Sequence, residues 1–214
     1  MSNQAWLSRI ERNRAIAVIR ANQPEIAYQM ALSVAAGGMQ LIEITWNTQK
    51  SVEVIRQLRS EFPELVIGTG TLLNMEQLQS AIACGAQFLF TPHVDIAMIK
   101  MAVDATVPII PGALTPTEIV AAWNAGASCV KVFPVQAVGG ANYIQSLQAP
   151  LGKIPLIPTG GVTLDNAKTF LDAGAIAVGV ASDLFPHQLV VNQDWDAIAL
   201  RARTLIHLLN NQIN

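Results

Sequence analysis

The stretch Ala125-Gly126-Ala127-Ser128-Cys129-Val130-Lys131-Val132-Phe133 carries the punctuation on which the whole chain is built. A glycine closes a helical segment, and a short β-branched run follows at once. A left-handed residue at a helix C-terminus turns the chain back, and glycine takes that conformation without a Cβ penalty. The same device recurs at Gly37-Gly38, Cys84-Gly85-Ala86 and Ala173-Gly174-Ala175. From Gly38 to Gly85, Gly126 and Gly174 the steps are 47, 41 and 48 residues, two strand-helix units each.

Outward from that stretch, eight apolar runs read as strands: Ala15 to Arg20, Leu41 to Trp46, Leu65 to Gly70, Gln87 to Thr91, Pro108 to Pro111, Cys129 to Phe133, Pro155 to Thr159 and Ala177 to Val180. Amphipathic stretches such as Pro24 to Ala36, Lys50 to Phe62 and Asp194 to Asn210 fit helices. Asn74 and Asp95 stand where N-caps belong. Thr115-Pro116-Thr117-Glu118 joins an N-cap, a proline at N1 and a capping-box acid, which makes Glu118 structural. Eight alternating units predict an α/β fold, a single-domain (β/α)8 TIM barrel over residues 1–214. A doubly wound open sheet competes, but the first turn, Arg20 to Pro24, lacks the G-x-G-x-x-G loop of that fold.

Composition narrows the function classes. Of 214 residues, 51% are hydrophobic and 13% charged, where ordinary soluble domains carry roughly 25% charge. A net charge of -2 without a block of either sign argues against nucleic-acid or anionic-membrane binding. No apolar run approaches the 18 or so residues of a membrane span, the most apolar stretches being cut by proline or glycine. Arg9, Glu11, Arg12 and Arg14 fall where a signal peptide needs its apolar core, so a cytoplasmic location is expected. Cys84 and Cys129 form no disulfide or metal pattern and read as small core residues.

In a chain so poor in charge, two charged residues stand alone. Lys131 is the only one between Glu118 and Lys153, and Glu43 the only one between Glu25 and Lys50. Strand side chains alternate between faces, so Lys131 shares its face with Cys129 and Phe133 while Val130 and Val132 point the other way. If the β-branched set packs under the helices, Lys131 points into the barrel, and Glu43 does the same from the second strand with Leu41 and Thr45. An ammonium in an apolar interior loses its proton more readily, which leaves an amine able to attack a carbonyl. A neighbouring carboxylate would move the protons of Schiff-base chemistry. The competing reading is a buried Lys131–Glu43 ion pair without chemistry.

Other candidates end strands at the same mouth. Pro158-Thr159-Gly160-Gly161-Val162 and Ser182 follow the seventh and eighth strands, where βα barrels commonly hold phosphate. Arg20 offers a two-pronged donor for a carboxylate or phosphate. Thr71 follows Gly68-Thr69-Gly70, glycines that would let backbone approach a ligand. His93, His187 and His207 lack metal-ligand spacing, His187 reading as part of a polar loop, so neither metal nor other cofactor is expected.

Together, Ala17-Val18-Ile19-Arg20-Ala21-Asn22, Leu41-Ile42-Glu43-Ile44-Thr45, Gly68-Thr69-Gly70-Thr71, Thr91-Pro92-His93, Lys131-Val132-Phe133-Pro134 and Pro158-Thr159-Gly160-Gly161-Val162 resemble the family of 2-keto-3-deoxy-6-phosphogluconate (KDPG) and 4-hydroxy-2-oxoglutarate aldolases along nearly the whole chain. The resemblance implies a class I aldolase, a lyase that cleaves KDPG reversibly to pyruvate and glyceraldehyde 3-phosphate. It implies Lys131 as the Schiff-base lysine, Glu43 as acid-base, Arg20 and Thr71 at the carboxylate end, and Pro92 and Phe133 beside the ligand. Gly160, Gly161 and Ser182 would line the phosphate pocket, in a homotrimer without cofactor. Two positions depart from the family pattern: Asn47, where some members carry arginine, and Ala181, where a glycine usually precedes the serine. They keep open the unphosphorylated substrate 4-hydroxy-2-oxoglutarate, the galactonate epimer of KDPG, and a barrel that binds phosphosugar without turnover.

Overall fold

The computed structural model describes residues 3–210. Helix α1 (Asn3–Asn13) comes first and is followed by β1 (Ala15–Ile19), α2 (Pro24–Ala36), β2 (Leu41–Thr45), α3 (Ser51–Glu61) and β3 (Val66–Gly70). Then come α4 (Met75–Ala83), β4 (Leu89–Thr91), α5 (Ile96–Asp104), β5 (Ile109–Ala113), α6 (Pro116–Asn124) and β6 (Val130–Val132). A 3-10 turn (Val135–Val138) leads to α7 (Ala141–Leu151), β7 (Leu156–Pro158), α8 (Ala167–Asp172), β8 (Val178–Val180), α9 (His187–Val191) and α10 (Trp195–Asn210).

All eight strands are parallel, in the order β7-β6-β5-β4-β3-β2-β1-β8, and a parallel bridge from Thr159 to Gly179 joins the two ends. This is the expected (β/α)8 barrel. Its exposed surface, 9721 Å², matches the roughly 9,600 Å² typical of one compact chain of this mass.

Two apolar layers follow from strand alternation. Ile42, Ile44, Val130 and Val132 face the helices, and Leu41, Val66, Phe88, Phe90, Ile110, Cys129 and Ile157 fill the interior. Glycines Gly38, Gly85, Gly126 and Gly174 have φ between 89° and 103°, and the amide after each bonds back into the helix, as Ala127 N does to Ala122 O at 3.2 Å. The N-caps Asn74, Asp95 and Thr115 all form, and Thr115 with Glu118 closes the full capping box.

Two features differ from the sequence expectation. Strand β5 runs through Pro111-Gly112 to Ala113, because Gly112 pairs with Lys131 where the Pro92 backbone passes too close for any side chain. Helix α1 is the larger surprise. Its apolar residues are Ala5, Trp6, Leu7 and Ile10; Trp6 and Ile10, one turn apart, are both fully buried and cork the lower end of the barrel, with the Trp6 ring centre 5.0 Å from that of Phe88.

Candidate active site

At the strand C-termini opens a cavity of about 530 Å³. Arg20, Glu43, Thr71, Pro92, Lys131, Phe133, Gly160 and Ser182 all line it, brought together from seven different strand ends. Gly161 lies in the same turn but outside the lining, held through its carbonyl by Asn166 Nδ2 at 2.9 Å. Among the lining residues, the sequence reading named Thr159 only within the Pro158–Val162 run and overlooked Val18, Met30, Phe185, His187 and Val190. Val18 was recoverable, since it sits two residues before Arg20 on one face of a strand. His187 was not: it is the first residue of α9, which folds over the mouth, and nothing in its local sequence marks that path.

Lys131 and Glu43 are buried at the centre, 6% and 1% exposed. Burial pulls the Lys131 pKa down; the Glu43 carboxylate opposes this and Arg20 reinforces it. Burial likewise pushes the Glu43 pKa up, against the pull of Lys131 and Arg20. Burial therefore biases each group towards its neutral form, an amine beside a carboxyl group. Among the described residues no ion pair joins them. Lys131 Nζ instead lies 4.7 Å from the centre of the Phe133 ring and 5.6 Å from that of Phe90, and Glu43 Oε1 is buried without a hydrogen-bond partner. A static ion pair would satisfy its charges internally, whereas here Lys131 and Glu43 both line the cavity without bonding each other. This arrangement can add a carbonyl carbon to nitrogen and accept or return a proton alongside.

The surrounding turns are fixed by hydrogen bonds. Ala21 N donates to Thr48 Oγ1 at 3.3 Å, which ties the turn after Arg20 to the turn after β2. Thr91 Oγ1 donates to His93 O at 2.6 Å and holds the turn that carries Pro92. Thr71 is held at φ 63°, a costly conformation for a β-branched residue and one that clusters at functional sites. The glycines before it clear space for protein side chains: a Cβ on Gly68 would strike the Phe88 ring, and one on Gly70 the Glu43 carboxylate.

Across the cavity, Gly160 has φ 88° and packs beside Phe133. Ala181 and Ser182 are exposed at the mouth, next to the apolar wall of Phe185. Among the described residues no cluster of three metal-ligating side chains occurs. Cys129 lies deep below Lys131, and burial pushes its thiol up to about 12, so it is inert at neutral pH.

A chain with this barrel and this cavity matches known proteins closely. The model of the KDPG and KHG aldolase family covers residues 7–200. A 2-dehydro-3-deoxy-phosphogluconate aldolase from Dickeya dadantii is 35% identical over 191 residues, 89% of this chain and 90% of the relative. The KHG/KDPG aldolase of Escherichia coli K12 is 32% identical over the same shares of the two chains. A crystal structure of KDPG aldolase from Legionella pneumophila, with pyruvate captured as a covalent carbinolamine intermediate, superposes with a TM-score of 0.86 at 25% identity, covering 93% of this chain and 97% of that one. The buried amine, the carboxyl group beside it and a match across nine-tenths of the sequence agree, and the chain belongs to the KDPG and KHG aldolase family.

Proposed function

We propose that this enzyme cleaves KDPG reversibly to pyruvate and glyceraldehyde 3-phosphate through a Schiff base on Lys131. The observation that carries the reading is a lysine buried in the barrel interior, its pKa lowered, facing a cavity it shares with a buried, unpartnered carboxyl oxygen. The neutral Nζ adds to the 2-keto carbon and forms a carbinolamine. Glu43, with its raised pKa, supplies the proton with which the hydroxyl leaves as water, giving the iminium. Ionised Glu43 then takes the proton of the 4-hydroxyl as the C3–C4 bond breaks, and the bonding pair flows into the iminium to make an enamine. Glyceraldehyde 3-phosphate departs. Glu43 returns its proton to C3, and water hydrolyses the pyruvyl imine to free the amine.

Arg20 and Thr71 hold the carboxylate end of the substrate, and Phe133 and Pro92 border its carbon chain. Gly160, Gly161 and Ser182 take the phosphate. The enzyme works in the cytoplasm, as a homotrimer and without metal or cofactor. Lys131→Ala abolishes KDPG cleavage in a pyruvate-release assay, and near-native activity in that variant would refute the mechanism. Glu43→Gln lowers kcat about 10²- to 10⁴-fold, the usual worth of a positioned acid-base group. Ala181 places a methyl group on the lining, which favours measuring 4-hydroxy-2-oxoglutarate in parallel. A higher kcat/KM on that acid would move the assignment to the unphosphorylated substrate while leaving the chemistry unchanged.

A further inference from the structure

We infer that Gly70 is a positioning residue for the acid-base carboxylate. The Cβ that it lacks is the space in which the Glu43 carboxyl group sits. The inference rests on the reading of Glu43 as the proton carrier and adds what sets its reach.

Gly70 is the last residue of β3, buried and paired with Thr45, and strand alternation puts it on the same inward face as Gly68, the partner of Glu43. Its φ is not positive, so the backbone alone would accept alanine. Space is what forbids it. A Cβ there would lie 2.5 Å from Glu43 Cδ and overlap Oε1 outright, with Phe90 Cβ at 3.0 Å on the other side. Among the described residues no hydrogen bond anchors the Glu43 carboxyl, and Oε1 is wholly buried without a partner. Contact with the bare backbone of Gly70 therefore fixes the carboxyl in place of hydrogen bonds. The atom that would be struck is the far end of a flexible chain, so a methyl group at this position displaces the carboxylate rather than the barrel. A shift of about 1 Å at a reacting group is enough to cost on the order of 10²-fold in rate.

The test is a set of four variants, Gly70→Ala, Glu43→Asp, their combination and Glu43→Gln, assayed for kcat and KM of KDPG cleavage with circular dichroism as the control for folding. Aspartate is one bond shorter, about 1.5 Å, and fits in front of the added methyl. In the glycine background Glu43→Asp slows the enzyme. On top of Gly70→Ala, which by itself lowers kcat about 100-fold, the same change restores kcat at least about tenfold. That reversal of sign is what a merely structural glycine would not produce. If Gly70→Ala fails to fold, the combination decides: activity above that of Glu43→Asp alone supports the inference, and equal or lower activity overturns it. Native kcat in Gly70→Ala also overturns it, as does absence of rescue in folded protein. Native kcat in Glu43→Gln would overturn the reading of Glu43 itself, an outcome separate from an inactive Glu43→Gln beside an unaffected Gly70→Ala.

Discussion

Lys131 is only 6% exposed, its Nζ 4.7 Å from the centre of the Phe133 ring and 5.6 Å from that of Phe90. The same burial that makes its amine nucleophilic weakens the fold. Its folded pKa lies below the unfolded value, near 10.5, so as pH falls from there the unfolded chain takes a proton that the folded chain refuses. Stability is lost at about 1.4 kcal/mol per pH unit until the folded pKa is reached. Lys131→Met is therefore expected to raise stability at pH 7 in urea unfolding, with the gain shrinking as pH approaches 10.5. A gain that grew with pH, or none at all, would contradict the lowered pKa. Glu43, whose pKa Lys131 helps to hold down, keeps its proton more firmly in that variant. Both residues were legible in the sequence because a lone charge inside an apolar strand has few structural uses. His187 and the contact between Gly70 and Glu43 were not, because each depends on how separate segments approach in space.

Elements were legible where local chemistry decides them. The caps at Asn74, Asp95 and Thr115 and the glycines ending four helices read directly as turns of the barrel, since each satisfies orphaned backbone groups within a few residues. Helix α1 was not, because its apolar residues Ala5, Trp6, Leu7 and Ile10 span too little of the chain to make a periodic stripe, and its stability comes from the barrel floor that Trp6 and Ile10 complete. Trp6→Ala should cost about 3 kcal/mol, because the fully buried ring packs on Phe88 and its loss leaves a cavity in the barrel floor. Urea unfolding checks this, and a cost under about 1 kcal/mol would show that α1 is not a needed floor.

As a whole, the molecule explains its shortage of charge in two parts. A closed parallel sheet hides both of its faces, one on the interior side chains and one under the helices. Large apolar side chains still stand in solvent on the single subunit, among them Leu200, Val191 and Leu73 at 62%, 59% and 56% exposed. In the proposed homotrimer, subunit contacts take up apolar surface of this kind. Sedimentation equilibrium should then give three times the 22.9 kDa chain mass, and a monomer would remove the trimer from the account. The barrel was legible because its repeat is written in glycine spacing, while assembly leaves no comparable mark on a single sequence. The most direct test of the chemistry is borohydride reduction in the presence of pyruvate, followed by peptide mass analysis. A reduced pyruvyl adduct on the peptide containing Lys131, absent in Lys131→Ala, is the predicted result; an unmodified Lys131, or an adduct on another lysine, would contradict it.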